Sequence, residues 1–429
     1  MIDAAAPAFN LRRRGEVVAL PFGRRLAGER LAVAVTAVAV AMLPLAVPEG
    51  PANTAPNDLF MAAAVGMCVL WAATVGFRWR FPYVLPVALM LVGGAVAGLV
   101  GPVPKAGLVA LVQDIVLILW CWAVANIGRS ARNLRLLLTT WVYSAIAWAI
   151  VAFVGLATGA SVLTGQIERQ GTRLQLTLND PSYTANYFFI SIMIMWATQR
   201  PTHRAVRFAA YALLLGAIAA TGSNSGLVAV VVGTVIAGVL AAYRRFGLAP
   251  AIAASAFIAL AAFTVASTVS LSDIQARANG SRWAFVRQGI GRSPDAAGQR
   301  QGLLHESIQL YGRGSALGEG PVSTKPRLER EQAPLIKEAH DDYFAALIER
   351  GPIGFIGVLL LVSSLALRGL LVTRTRLSDG FAAIVLRPNA LVGALAGTLV
   401  AGLVYELLHV RHIWALFGLV AAISIWGRE

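Results

Sequence analysis

His340 stands first among the residues able to move a proton. It precedes Asp341 and Asp342 in the run PLIKEAHDDYFAALIER, residues 334–350. An imidazole titrates near working pH, so a histidine beside carboxylates can serve as a general base. A solvated polar helix face is the other reading of the same residues. Only five histidines occur in 429 residues, and His203 falls in a basic loop. Arg169, Arg173 and Arg300 carry the planar donor fork that grips phosphate oxygens in pairs, as a lipid diphosphate would require. Contact with lipid head groups is their alternative. Asp114, beside Gln113, falls near the middle of an apolar stretch, where an ionisable group is costly and marks either function or an interhelical hydrogen bond. Glu406, His409, Arg411 and His412 cluster in the last hairpin. No P-loop, Rossmann glycine pattern, HExxH or Cys/His metal spacing occurs, so ATP hydrolysis and zinc chemistry find no support. No metal and no cofactor is expected.

These residues need a scaffold, and composition says which kind. Hydrophobic residues make up 57% of the chain and charged residues 13%; soluble domains carry about a quarter charged. An ordinary soluble enzyme, a disordered chain and a nucleic-acid-binding domain are thereby excluded. Cys68 and Cys121 each sit inside an apolar run, which rules out a disulfide framework. The expected fold is an all-α polytopic membrane protein. A span needs roughly 20 apolar residues, and about twelve stretches qualify: 31–47, 59–77, 82–100, 106–127, 136–158, 183–199, 206–221, 224–243, 248–271, 353–368, 388–406 and 411–427. The first follows a basic stretch and has no small-residue cleavage site after it, so it reads as a retained helix.

Alternate connections collect arginines: Arg78 and Arg80; Arg129, Arg132 and Arg135; Arg200, Arg204 and Arg207; Arg244 and Arg245; then Arg368, Arg374, Arg376 and Arg387. The connections between them are poor in Lys and Arg. By the positive-inside rule both termini are cytoplasmic. The formal net charge of +15 is thus accounted for largely by topology, without nucleic acid. The chain divides into a basic cytoplasmic N-terminus (1–30), spans one to nine (31–271), a large external loop before the tenth span (272–352), and the last three spans (353–429). A loop of that length is uncommon unless functional. Within it, 300–312 reads as an amphipathic helix at the membrane surface. The stretch 334–350 reads as a second helix, stopped by Gly351-Pro352.

Four motifs resemble those of the O-antigen ligase and O-antigen polymerase superfamily. HDDYFAALIERGPIG matches its His motif followed by Gly-x-x-Gly. TRLQLTLNDPSYTANYF is similar to its Arg-Leu…Asp-Pro-Asn block, and ATGSNSGLVAVVVG to its Ser-Arg-Ser/Gly turn. GQRQGLLHESIQLYGRGSALGEG is similar to its arginine helix and Gly-x-Gly turn. Departures are Asp341 for the usual amide or hydroxyl residue, Asn224 for arginine and Ser182 for asparagine. No Gly-Thr-Tyr ending follows the His motif, which tilts the reading towards polymerase.

The resemblance implies a metal-independent glycosyltransferase with a glycosyltransferase-C-like membrane fold in the inner membrane of a bacterium. It would move a glycan from a polyprenyl-diphosphate carrier to a hydroxyl of a glycan, lipid or wall acceptor on the external face. His340 would be the base and Asp341 its orienting partner. Arg173 and Arg300, with Arg169 in support, would hold the donor diphosphate. Glu306, Asn186, Asp180 and Arg411 are expected to line the site. The competing classes are a secondary transporter or flippase of lipid-linked or small polar substrates, and a structural scaffold. Against transport, no pair of Gly/Pro-broken helices repeats in two halves.

Overall fold

The computed structural model describes residues 22–48, 50, 54–75, 79–160, 173–268, 271–282, 302, 305–306, 308–332 and 341–428. His340, Arg300 and Arg169 lie outside the described residues, as does all of the 334–350 run ahead of Asp341. Among the described residues the fold is helical, with one isolated bridge between Leu377 and Arg428.

The helices are α1 (Phe22–Ala41), α2 (Pro56–Val75), α3 (Val84–Val100), α4 (Pro104–Ile127), α5 (Ala131–Thr158), α6 (Pro181–Thr198), α7 (Arg204–Thr221), α8 (Asn224–Phe246) and α9 (Leu248–Thr268). The shorter α10 (Leu271–Asn279) and α11 (Thr324–Arg330) precede α12 (Asp342–Arg374). Then come α13 (Asp379–Ala382), α14 (Asn389–Ala401) and α15 (Arg411–Trp426). A helix overlaps each apolar stretch named above. Six are long and apolar enough to cross a membrane: α2, α4, α5, α7, α8 and α12. Shorter apolar helices cover 84–100, 248–258, 389–401 and 411–426. The chain is a multi-pass helical membrane protein.

Local sequence explains where these helices begin and end. Ser130 caps α5 by accepting from Asn133 N, and Ser223 caps α8 by accepting from Gly226 N. Asp180 caps α6 ahead of Pro181 at its first position, the proline having no N–H to leave unpaired. The core gathers around α15, which is apolar on all sides and buried from His412 to Ser424, and around α6, whose Tyr187, Phe188 and Phe189 are buried. Large apolar side chains instead face outward on the perimeter, among them Leu59, Leu99, Phe208 and Phe257. This inversion of the soluble pattern is what a lipid surround favours.

Small residues set the closest helix pairs. A Cβ on Gly93 of α3 would lie 2.4 Å from Gly354 N of α12, and one on Gly393 of α14 would lie 2.3 Å from Gly233 O of α8. Without a hydrophobic drive between helices in lipid, such backbone approach is a main source of association.

Connections sort to two ends. At one, Asn57 Nδ2 donates to Leu43 O (2.9 Å), Leu174 N to Ala220 O (3.0 Å) and Asp342 N to Gly402 O (2.9 Å). At the other, Asn126 bonds the backbone of Arg80, Arg387 N donates to Ala197 O and Ser378 N to Gly427 O. The arginine-rich connections fall together at this second end.

The stop read at Gly351-Pro352 is where the helix breaks: α12 is two helical segments joined across a kink, with Gly351 non-helical at φ 63° and ψ −173°. Pro352 has no N–H for Ile348 O. The gap is filled from outside: Glu319 N donates to Ile348 O (2.9 Å) and Gly320 N to Glu349 O (2.9 Å). The glycine turn 314–320 is thus stitched into the helix as a substitute for its own missing bonds. Of the expected 300–312 helix, the described residues 302, 305–306 and 308–312 are helical.

Candidate active site

A cavity of about 630 Å³ opens at the arginine-poor end of the bundle. Its walls come from the head of α2 (Asp58), the first half of α4 (Gln113, Asp114), the start of α6 (Tyr183) and the turn at Pro321. The first turns of α12 (Asp342, Glu349, Arg350) and the segment Tyr405–His412 complete it. Elements far apart in sequence therefore converge on one polar chamber inside an apolar bundle.

Two acid–arginine pairs brace it. Arg350 donates to Asp114 Oδ2 at 2.6 Å. Asp114 therefore enters the membrane region with its charge compensated, as a buried carboxylate must. Arg411 forks onto Asp58 with Nε–Oδ1 2.7 Å and Nη2–Oδ2 2.6 Å, the bidentate geometry that only arginine offers. This pair ties α15 to α2 across the cavity mouth.

The acids of α12 are occupied by backbone. Asp342 Oδ1 accepts from Leu407 N (2.8 Å) and Leu408 N (2.9 Å), and so pins the Tyr405–His412 segment to the helix head. Glu349 accepts from Val322 N (2.9 Å) and Thr324 Oγ1 (2.8 Å), holding the loop that carries the glycine turn. Asp341 is the N-cap of α12, its Oδ1 accepting from Tyr343 N (2.8 Å) and Phe344 N (3.0 Å). Burial pushes the Asp341 carboxyl above the usual carboxylate range, against the lowering effect of those two bonds.

An aromatic group forms the opposite wall. Tyr183 OH lies 2.7 Å from His409 Nε2, and its ring meets that of Tyr405 edge-on at 5.3 Å. Tyr405 OH donates to Asp180 Oδ2. The cavity thus offers carboxylates, phenols, an imidazole and guanidinium groups within one volume.

The residues singled out from sequence separate into three groups. Arg411 lines the cavity, and Asp180 and Asp341 support it, one through Tyr405 and the other at the head of α12. Arg173, Asn186 and Glu306 stand outside the lining. Arg173 is buried, its Nε donating to Thr221 O (2.7 Å) and Nη2 to Gly222 O (3.1 Å), so it clasps the α7–α8 turn. Asn186 bridges Thr398 Oγ1 (3.3 Å) and His412 Nε2 (3.2 Å) inside the core. Glu306 is half-buried and helical. His340, Arg300 and Arg169 lie beyond the described residues. Sequence reasoning passed over Asp58, Tyr183, Glu349 and Arg350 as site residues; the one signal was their position at helix heads or beside Gly351-Pro352. Among the described residues no three His, Cys, Asp or Glu side chains gather as a metal site would need.

A multi-pass helical bundle with a polar chamber at one end is the class that the fold defines. Residues 209–359 match a family model described as O-antigen ligase. The match runs from α7 into α12 and supports the O-antigen ligase and polymerase superfamily, a group of membrane glycosyltransferases. No curated protein matches the chain.

Proposed function

We propose that this chain transfers a glycan from a polyprenyl-diphosphate carrier to an acceptor hydroxyl at the external face of the bacterial inner membrane. In this reading both termini are cytoplasmic and about twelve helices span the bilayer. The cavity bounded by Asp58, Asp114, Arg350 and Tyr183 is the observation that supports it most. It lies at the arginine-poor end, which the positive-inside rule assigns to the exterior. Its walls include α12, whose cap Asp341 directly follows His340 in the chain.

His340 acts as general base on the acceptor hydroxyl. The hydroxyl oxygen attacks the anomeric carbon while its proton passes to the imidazole, and the carbon–oxygen bond to the diphosphate breaks. Charge gathers on the departing diphosphate. Arg300 and Arg169 hold it, and Arg173 adds positive charge from the α7–α8 turn. Since the leaving group is already activated, positioning and charge stabilisation carry the catalysis. No metal is invoked.

Purified protein given a polyprenyl-diphosphate oligosaccharide and no other acceptor tests this. A ladder of lengthening lipid-linked chains is the expected product and identifies a polymerase. If only the substrate band remains, added candidate acceptors distinguish a ligase, which consumes the donor, from a transporter, which leaves it intact.

A further inference from the structure

A second concavity, of about 610 Å³, lies at the opposite end of the bundle between α8, α9 and the last turns of α12. Val239, Leu240, Ile252, Ala256 and Leu370 give it an apolar floor. Two of its hydroxyl groups are internally satisfied: Ser255 Oγ donates to Ala251 O (2.8 Å) and Thr373 Oγ1 to Leu370 O (2.8 Å). Tyr243, beside Arg244, adds an exposed phenol to the lining. Leu248 and Ile252 are 62% and 58% exposed, so the concavity faces outward where hydrocarbon would lie.

At its mouth stand Arg244 and Arg374, both exposed. Among the described residues neither has a carboxylate partner; Arg244 makes only a long 3.5 Å contact with Asn389 Oδ1. Two cations above an apolar slot are complementary to an amphiphilic anion, such as a hydrocarbon chain ending in a phosphate.

We propose that this groove is a binding site for an anionic phospholipid, its acyl chain seated against α8 and α9 and its phosphate held by Arg244 and Arg374. The volume is in the range of sites that enclose small ligands, about 300–1,000 Å³. Guanidinium groups grip phosphate through paired hydrogen bonds. Basic pockets between membrane helices recognise acidic head groups in this way. The site is independent of the transfer reaction; it requires only that the bundle sit in a bilayer. By clamping α8 and α9 to the end of α12, the lipid would brace the helix that lines the active cavity at its other end.

Native mass spectrometry of the purified full chain tests the proposal, with equal amounts of dioleoyl phosphatidylglycerol and dioleoyl phosphatidylcholine added after delipidation. The expected result is one retained phosphatidylglycerol, favoured about tenfold, a ratio worth about 1.4 kcal/mol. R244Q/R374Q should erase the preference. A256W, which fills the slot and keeps both charges, should release the lipid. R245Q, whose guanidinium stacks on Phe246, should retain it. Equal retention of the two lipids by the unmodified protein would overturn the proposal. So would undiminished retention by A256W, or displacement of the lipid by inorganic phosphate, since either means surface attraction alone. If R244Q/R374Q does not fold, A256W against R245Q decides.

Discussion

Gly351→Ala puts the account of the α12 kink to a quantitative test. Gly351 sits at φ 63° and ψ −173°, a conformation essentially confined to glycine, which costs another residue about 1–3 kcal/mol. A Cβ there would also lie 2.4 Å from Leu317 O, a backbone atom. The turn must then retreat, and with it go the Glu319 N–Ile348 O and Gly320 N–Glu349 O bonds. Each contributes about 0.5–1.5 kcal/mol. The loss should come to about 2–6 kcal/mol in total, a large part of the marginal stability of a folded chain. The midpoint of thermal unfolding in detergent, followed by tryptophan fluorescence, should fall by about 2–7 °C, taking the per-residue unfolding entropy of soluble domains as the guide. Gly238→Ala is the matched control: it lies within α8 with nothing within 4 Å of the added carbon, so it should be neutral or slightly stabilising. If Gly351→Ala melts like the unmodified protein, the stitched kink is not what holds the turn to α12.

Arg350→Met should strand the Asp114 carboxylate and cost roughly 3–5 kcal/mol, whereas Asp114→Asn combined with Arg350→Met should recover much of that in the same unfolding assay. Arg411→Lys keeps the charge but loses the fork onto Asp58; it should lower the melting temperature, and Arg411→Ala should lower it further. Asp341→Asn should preserve stability, because asparagine caps a helix as well as aspartate, while Asp341→Ala should cost about 1 kcal/mol. Since the Asp341 carboxyl titrates above its unfolded value, the folded state binds the proton more readily. Its contribution to stability therefore falls as pH rises through that window. Asp341→Asn should remove this component of the pH profile, measured as melting temperature against pH.

The helices were legible because each apolar run is long, and some open on caps that the sequence displays, such as Ser130, Asp180-Pro181 and Ser223. Segregation of arginine to alternate connections was legible for the same reason. The break at Gly351-Pro352 was legible as a stop signal by local chemistry; the turn 314–320 that takes up the carbonyls of Ile348 and Glu349 at that break was not. The cavity walls were still less accessible. Asp114 pairs with a residue 236 positions away and Asp58 with one 353 away, and no local pattern encodes such distances. Arg173 illustrates a third limit. Residue type announces a donor fork, but the fork holds the carbonyls of Thr221 and Gly222, and type alone does not distinguish a phosphate from a backbone turn.

The central claim is that His340 removes the proton from the acceptor hydroxyl. Its most direct test is the yield of new glycosidic product from a polyprenyl-diphosphate oligosaccharide, with unmodified protein and His340→Ala compared at equal membrane insertion. A positioned general base contributes roughly 10²–10⁴-fold, so the variant should give at most about a hundredth of the product while keeping its melting temperature. Undiminished product from His340→Ala would contradict the account.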